Sequence, residues 1–295
     1  MQKLIKPQWL KIKLTVNDEF SNIKSTLKKH DLHTVCEEAH CPNISECWNG
    51  GTATFMLMGD VCTRGCKFCA VKTGNPMQKL DAEEPKKLAQ ALAEIKLFDY
   101  VVLTSVNRDD LSDGGASHFA ECVKEIKKAY PEIIVEVLIP DFNGDINSLK
   151  KIVDAKPEVM AHNIETIERL QRKVRDVRAN YKQSLTVLEN VKKLNSKIYA
   201  KSSIMLGLGE TDEEIIQSMK DLRKINVDIL TIGQYLRPTD WHIQISEFVE
   251  PEKFEFFKQK ALEFGFLFCA AGPFVRSSYK AGELFVRNVV KKVVD

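Results

Sequence analysis

The sequence predicts an α/β fold, a partial TIM-type parallel barrel of about six strand–helix units, (β/α)6, with N- and C-terminal extensions. Short apolar runs alternate with amphipathic segments from about residue 51 to residue 265. Because these runs are apolar throughout, they are typical of strands buried on both faces of a parallel sheet. Strands that alternate with helices form right-handed units of such a sheet. Residues 1–50 are predicted to be an irregular N-terminal extension and residues 266–295 a C-terminal tail.

The predicted strands are runs rich in branched and aromatic side chains. They cover residues 52–58, 100–104, 133–139, 159–163, 198–206 and 227–232. The predicted helices cover residues 81–97, 116–130, 181–194, a segment that begins at 211, and 251–264. Helix starts are marked by Asp81 as a candidate N-cap, by Thr211 with Glu214 as a capping box, and by Pro251. The order of these elements predicts one barrel-like domain.

Composition and charge exclude several classes of protein. Hydrophobic residues make up 44% and charged residues 28%, which excludes a disordered or collagen-like chain. Lys and Arg exceed Asp and Glu by 43 − 41 = +2, so general nucleic-acid binding is not expected. The longest uncharged stretch, residues 47–59, is shorter than the ~20 residues that span a bilayer. With no secretory pattern in residues 1–14, a cytoplasmic protein without membrane partners is expected.

Cysteine is the most informative residue type. The chain has eight, and six of them lie between residues 36 and 69. Disulfides are one explanation, but they are typical of small secreted scaffolds, whereas clustered thiols in a reducing compartment more often bind metal. Cys122 and Cys269 lie in apolar segments and are expected to be core residues.

Three cysteines follow the first predicted strand in a C-x3-C-x2-C arrangement, Cys62, Cys66 and Cys69. In parallel α/β folds, chemistry occurs at the carboxyl ends of strands. Three soft ligands fit an iron–sulfur cluster that keeps one iron open. Structural zinc is the alternative, although closed zinc sites take four ligands and often use paired C-x2-C units. We call these three residues the radical triad, because the motif resembles that of the radical S-adenosylmethionine (SAM) superfamily, in which SAM binds the open iron.

A second group, Cys36-x4-Cys41-x5-Cys47, precedes the barrel and matches no zinc-knuckle spacing. We call it the auxiliary triad. The two triads in this order resemble the lipoyl synthases. The similarity continues through residues 107–111, 140–142, 162–166, 207–210 and 233–238 and ends in residues 272–279.

The resemblance implies a sulfurtransferase that inserts two sulfur atoms at C6 and C8 of a protein-bound octanoyl-lysine, with two [4Fe–4S] clusters and SAM as cofactors. It implies that the auxiliary cluster donates the sulfur and that Ser278 is its fourth ligand. It also implies, as partners, octanoylated lipoyl carrier domains (2-oxoacid dehydrogenase E2 or glycine cleavage H protein), an electron donor such as flavodoxin or ferredoxin, and an iron–sulfur carrier that rebuilds the cluster. For Ser278, a turn-capping role is the alternative.

Further polar residues are candidates for SAM contacts. Asn163 and Glu165 are two apart near the end of the fourth predicted strand, so they share a face, and Lys201 lies on the fifth strand. A polar barrel core bonded to itself is the alternative. Arg178 closes a series of arginines spaced by three, which on a helix forms a basic stripe. The series is Arg169, Arg172, Arg175 and Arg178. A solvated face, pairing with the SAM carboxylate and pairing with an acidic carrier protein remain alternatives.

Functions of other classes remain open at this level. A two-cluster electron-transfer protein would need neither a barrel nor an open iron. A zinc-stabilised interaction module would be colourless. A radical enzyme that inserts sulfur into a vitamin precursor or a tRNA base would share the radical triad.

Overall fold

The computed structural model describes residues 5–10, 18–38, 41–50, 52–95 and 97–279. These residues form two compact units. The N-terminal unit contains the described residues of Leu14–Thr63 and Val71–Met160, with Ser278 and Tyr279. The C-terminal unit contains residues 5–10, Arg64–Ala70 and Ala161–Ser277.

The core of the N-terminal unit is formed by parallel strands at residues 52–57, 100–105 and 134–138, whose side chains are mostly buried. Its strands are β1 (His33–Thr34), β2 (Thr52–Leu57), β3 (Val61–Cys62), β4 (Lys72–Thr73), β5 (Tyr100–Ser105) and β6 (Ile134–Leu138). Strand β5 lies between β2 and β6, and β1 pairs with β2 in the antiparallel direction. Strand β3 pairs only with β4 among the described strands, in a separate parallel pair that follows β2. The radical-triad segment therefore begins directly after β2.

Helices cover this unit. They are α1 (Asp18–Lys29), α2 (Val35–Glu38), α3 (Ile44–Asn49), α4 (Glu84–Ile95), α5 (Ala116–Ala129) and α6 (Ile146–Asp154). Helix α1 packs on α3 and α4, and α5 packs on α4 and α6. The prediction of an irregular segment before residue 50 is wrong for α1, which buries Ile23 and Leu27 at helical spacing. At the start of α4, the Glu84 carboxylate accepts the Met58 N–H, which ties the end of β2 to this helix.

Strand β7 (Val159–Ala161) lies at the point in the chain where the first unit ends and the second begins. The predicted strand ran to residue 163. In the C-terminal unit the chain continues beside the next strand as far as residue 165, since His162 and Glu165 donate their N–H groups to the carbonyls of Lys201 and Ser203. This extension keeps Asn163 and Glu165 beside the next strand.

The C-terminal unit repeats the strand–helix alternation. Its remaining elements are α7 (Gln171–Val174), α8 (Tyr181–Leu194), β8 (Tyr199–Leu206), α9 (Asp212–Lys224), β9 (Ile229–Gln234), α10 (Pro251–Glu263) and β10 (Phe268–Gly272). Strand β9 lies between β8 and β10, all parallel. The Thr211–Glu214 capping box forms as predicted. Strand β10 lies within the predicted tail and is a parallel strand beyond the six that the sequence analysis assigned.

Candidate active site

The auxiliary triad and Ser278 both belong to the N-terminal unit. Cys36 lies on α2 and Cys47 on α3, and the short link between the helices keeps them close: the Cys41 N–H donates to the Cys36 carbonyl at 3.0 Å. The Cys36 thiol is buried, and its pKa rises to about 12 because of this burial and the neighbouring Cys41 and Cys47 thiolates. Three neighbouring cysteines, one of them buried, form a site that suits a cation, because a cation offsets the repulsion between their thiolates.

Donor groups surround Cys36. The main-chain N–H of Thr54 faces its thiol, as does the indole of Trp48, and both lower the pKa of Cys36. Trp48 Nε1 is buried and has no hydrogen-bond partner within ordinary distance among the described residues. A buried donor without an acceptor is costly, and sulfur atoms of a cluster are acceptors that N–H groups commonly contact. The site therefore fits an iron–sulfur cluster.

Ser278 reaches this site from the other end of the sequence. The Thr54 hydroxyl donates to Ser278 Oγ at 2.8 Å, across 224 positions. Thr54 is the same residue whose main-chain N–H faces Cys36. The structure thus brings the predicted serine and the auxiliary triad to one strand, β2. The sequence analysis missed Thr54, because its contact with Ser278 joins residues 224 positions apart and no local signal distinguishes it from the other residues of β2.

Cys62 of the radical triad also lies in the N-terminal unit, at the end of β3. Its thiol accepts the Asn107 N–H at 3.3 Å, and the next residue, Thr63, donates its hydroxyl to Asp109 at 2.7 Å. The segment that follows β5 therefore fixes Cys62 through main-chain and side-chain bonds. An N–H that points at the sulfur is typical of a cysteine ligand of iron.

Cys66 and Cys69 lie in the C-terminal unit. The Asp176 N–H donates to the Cys66 thiol at 3.3 Å, and the Asp176 carboxylate accepts the Gly65 N–H at 2.8 Å. The Arg178 guanidinium holds the pKa of Asp176 well below its usual range. His242 Nε2 lies 2.9 Å from the Cys69 carbonyl. Asp176, which the sequence analysis did not single out, therefore organises this loop from a segment more than a hundred residues away.

The candidate SAM residues have different environments in the C-terminal unit. Asn163 donates to Glu165 Oε1 at 3.1 Å, while its own Oδ1 is buried without a partner among the described residues. Glu165 has a φ of 65°, and burial raises its pKa. Lys201 is buried on β8, and Arg178 is exposed and pairs with Asp176. Asn163 and Glu165 are brought together as predicted, although β7 ends at Ala161 and Glu165 is not in an extended conformation.

The basic stripe predicted from the four arginines is wrong. Helix α7 ends at Val174, so the spacing of three does not continue on one helical face. Arg175 is buried and donates to Ser184 Oγ at 2.8 Å, whereas Arg169 is exposed and makes two bonds to Glu214, of 2.7 and 2.9 Å. The chain stops being helical here because Asp176 is needed at the radical triad, where its main chain donates to Cys66.

Comparison with known proteins identifies relatives over nearly the whole chain. Residues 56–222 match the family model of the radical SAM superfamily, and residues 1–41 match that of the N-terminal domain of lipoyl synthase of the radical SAM family. The chain is 58% identical to the lipoyl synthase of Halobacterium salinarum over 97% of this chain and 93% of that protein. It is 52% identical to the mitochondrial lipoyl synthase of Bos taurus over 99% of this chain and 79% of that protein.

The chain belongs to the lipoyl synthase family of radical SAM enzymes. Its fold is also found in the crystal structure of methylornithine synthase, with a TM-score of 0.55 at 14% identity over 95% of this chain and 89% of that one. The predicted α/β fold of the partial TIM type is thus confirmed. Lipoyl synthases are radical SAM sulfurtransferases that act on lipoyl carrier proteins, and the predicted SAM and [4Fe–4S] cofactors are those of the family. Among the described residues, no helix is long and apolar enough to cross a bilayer.

Proposed function

We propose that this lipoyl synthase family member divides the reaction between its two cysteine triads. The radical triad holds the [4Fe–4S] cluster that binds SAM. The auxiliary triad and Ser278 hold the [4Fe–4S] cluster that is consumed as the sulfur donor. The observation that carries this assignment is the Thr54–Ser278 hydrogen bond of 2.8 Å, made by the residue whose main-chain N–H faces Cys36. When bound, SAM and its cluster supply the radical that removes a hydrogen atom from C6 or C8 of the octanoyl chain.

The chain's own residues hold the ligands in position. The N–H groups of Asn107 and Asp176 donate to the thiols of Cys62 and Cys66 and so fix the positions of these two sulfur atoms. At the auxiliary triad, the main-chain N–H of Thr54 and the indole N–H of Trp48 act on the Cys36 thiol in the same way. Oxygen is a harder ligand than thiolate for iron in a sulfide cage. A serine in the fourth position can therefore be released more readily, which suits a cluster that gives up sulfur.

The SAM contacts belong to the same proposal. Asn163 presents a buried Oδ1 without a partner among the described residues, which suits a donor from the ligand, such as the SAM amine or a ribose hydroxyl. Glu165 accepts from Asn163 and orients it. Lys201 is buried on the neighbouring strand, and Arg178, through Asp176, supports the Cys66 loop. We assign Asn163, Glu165, Lys201 and Arg178 to the SAM side of the site.

The proposed organisation has three segments. Residues 1–50 carry the auxiliary triad, residues 51–265 carry the radical SAM partial barrel, and residues 266–295 carry Ser278. The ends of the sequence are basic, with a net charge of +5 in residues 1–30 and +3 in residues 276–295, most of the latter outside the described residues. This charge favours an acidic carrier domain that presents the acylated lysine, and its attraction is screened by salt.

The remaining partners follow from the reaction. The carrier is an octanoylated 2-oxoacid dehydrogenase E2 domain or glycine cleavage H protein, electrons come from a flavodoxin or a ferredoxin, and an iron–sulfur carrier rebuilds the auxiliary cluster. We propose the cytoplasm as the compartment, because the eight cysteines are free thiols, which a reducing environment maintains.

The test is anaerobic incubation of the enzyme with an octanoyl-lysine peptide, SAM and dithionite, with the products analysed by mass spectrometry. The parent enzyme is expected to form the lipoyl group. Ser278→Cys is expected to assemble both clusters and consume SAM but to stall in sulfur insertion, because a thiolate is not released. Ser277→Ala, the matched change at the adjacent serine, is expected to be milder. Full lipoyl formation by Ser278→Cys would overturn the ligand assignment.

A further inference from the structure

Thr54 makes two contacts to the auxiliary site with different parts of the same residue. Its main-chain N–H faces the Cys36 thiol, and its hydroxyl donates to Ser278 Oγ at 2.8 Å. The residue is buried on β2, a strand that pairs with β5 along its whole length. A rigid, buried strand residue therefore touches one cysteine of the triad and also the serine that comes from the far end of the sequence.

We infer that Thr54 is the positioning residue that holds Ser278 in the coordination site of the auxiliary cluster, an inference that rests on the ligand assignment proposed above. A serine oxygen has two lone pairs. In this geometry one of them accepts from Thr54, and the other remains for iron. With Ser278 bound to iron through a deprotonated oxygen, the Thr54 bond would be charge-assisted, and such bonds are about twice as strong as neutral ones.

This arrangement explains how an oxygen ligand persists in a soft site until sulfur is transferred. The Thr54 hydroxyl stabilises negative charge on the serine oxygen, which favours the form that binds iron, and it prevents the serine side chain from rotating away. Without it, Ser278 would have to find its rotamer unaided, and the iron that it holds would be lost more readily to competing ligands. Thr54 is thus expected to govern the lifetime of the resting cluster.

The test measures iron release from the anaerobic holoenzyme to a ferrous-iron chelator in the absence of substrate. Mössbauer spectroscopy of the isotopically enriched protein identifies the cluster that loses iron. Thr54→Val removes the hydroxyl but keeps the shape and the main-chain N–H. It is expected to release auxiliary iron about tenfold faster, which equals about 1.4 kcal/mol. Thr54→Ser restores a hydroxyl and is expected to behave as the parent.

Two controls separate positioning from a general loss of packing. Thr52→Val makes the same change at another buried threonine of β2 and is expected to leave the release rate unchanged. Combining Thr54→Val with Ser278→Ala is expected to release iron no faster than Ser278→Ala alone, because the two residues act through one bond. If Thr54→Val does not fold, Thr54→Ala provides the same comparison.

The outcomes distinguish this inference from the function on which it rests. If Ser278→Ala accelerates iron release and Thr54→Val does not, the inference is overturned and the ligand assignment stands. If Ser278→Ala leaves release unchanged, the ligand assignment itself fails and the inference fails with it. If Thr52→Val accelerates iron release as much as Thr54→Val does, the effect comes from the packing of the strand, and the inference is again overturned.

Discussion

The hydroxyl of Tyr279 donates a hydrogen bond to Oε2 of Glu46 at 3.1 Å, across 233 positions of the chain. Glu46 directly precedes Cys47 on α3, and Tyr279 directly follows Ser278. The described end of the chain is therefore attached at two points in the N-terminal unit, to β2 through Ser278 and to α3 through Tyr279. The second attachment restrains the serine through its neighbour in the chain.

Tyr279→Phe is expected to slow lipoyl formation about two- to fivefold, because the lost bond to a carboxylate is worth roughly 1 kcal/mol at an exposed position. The measurement is the initial rate of product formation by mass spectrometry. In a Glu46→Gln background, where the amide is a weaker acceptor, Tyr279→Phe is expected to slow lipoyl formation less. An unchanged rate in Tyr279→Phe would show that the Ser278 attachment suffices.

The two triads are expected to fail in different ways. Cys66→Ala should abolish formation of 5′-deoxyadenosine and leave the auxiliary cluster in place. Cys41→Ala should spare SAM cleavage while no sulfur is transferred. Iron and sulfide analysis together with chromatography of the nucleoside products measures both. If both variants, well folded, lose SAM cleavage equally, the division of labour is wrong.

Asn163→Ala is expected to weaken SAM binding about fivefold to tenfold, the effect of losing one hydrogen bond of about 1–1.5 kcal/mol. Anaerobic equilibrium dialysis with labelled SAM measures it. Asn195→Ala is the control, because that asparagine accepts the Lys197 N–H at the end of α8. Equal SAM affinity in the two variants would remove Asn163 from the binding site.

The Arg169–Glu214 pair predicts a small, pH-dependent contribution to stability. The guanidinium lowers the pKa of Glu214 from 4.5 to about 2. Between about pH 2 and pH 4.5 the unfolded chain therefore binds more protons at this carboxyl than the folded chain does. The stabilisation is complete above about pH 4.5 and is lost as the pH falls toward 2. The pair is exposed, and its contribution should not exceed about 1 kcal/mol.

Arg169→Gln should return the pKa of Glu214 toward 4.5, as measured by NMR titration of the carboxyl carbon. Arg172→Gln, at an exposed arginine of α7, should leave it low. A Glu214 pKa that stays low in Arg169→Gln would assign the shift to the Thr211 N–H, which the same carboxylate accepts in the capping box.

Local sequence signals predicted the elements that depend on local interactions. The Thr211–Glu214 capping box is a contact within one helical turn, and it forms. Strands β2 and β5 are continuous apolar runs that the alternation identified within one residue at their ends. Asn163 and Glu165 meet as predicted, although Glu165 lies in the left-handed region and not in an extended strand.

The features that the sequence analysis missed depend on partners distant in the chain. Helix α7 ends early because Arg175 turns inward to Ser184 and the Asp176 N–H donates to Cys66. The spacing of the arginines in the sequence does not indicate either contact. Helix α1 was overlooked because its apolar residues are few, yet Ile23 and Leu27 are buried within the N-terminal unit. In the sequence Thr54 is an ordinary strand residue, and only the structure shows that Ser278 lies beside it.

The position of Trp48 gives the protein an optical reporter of its own cofactor. Its ring packs on Phe20 with centroids 4.9 Å apart, and its indole faces Cys36. Iron–sulfur clusters absorb light at the wavelengths where tryptophan emits, so energy passes from the excited indole to a nearby cluster and the emission is quenched. Trp241 is 71% exposed, and solvent shifts its emission to the red. Filling of the proposed auxiliary site is therefore expected to quench the Trp48 emission, against a background from the half-buried Trp9 and the exposed Trp241.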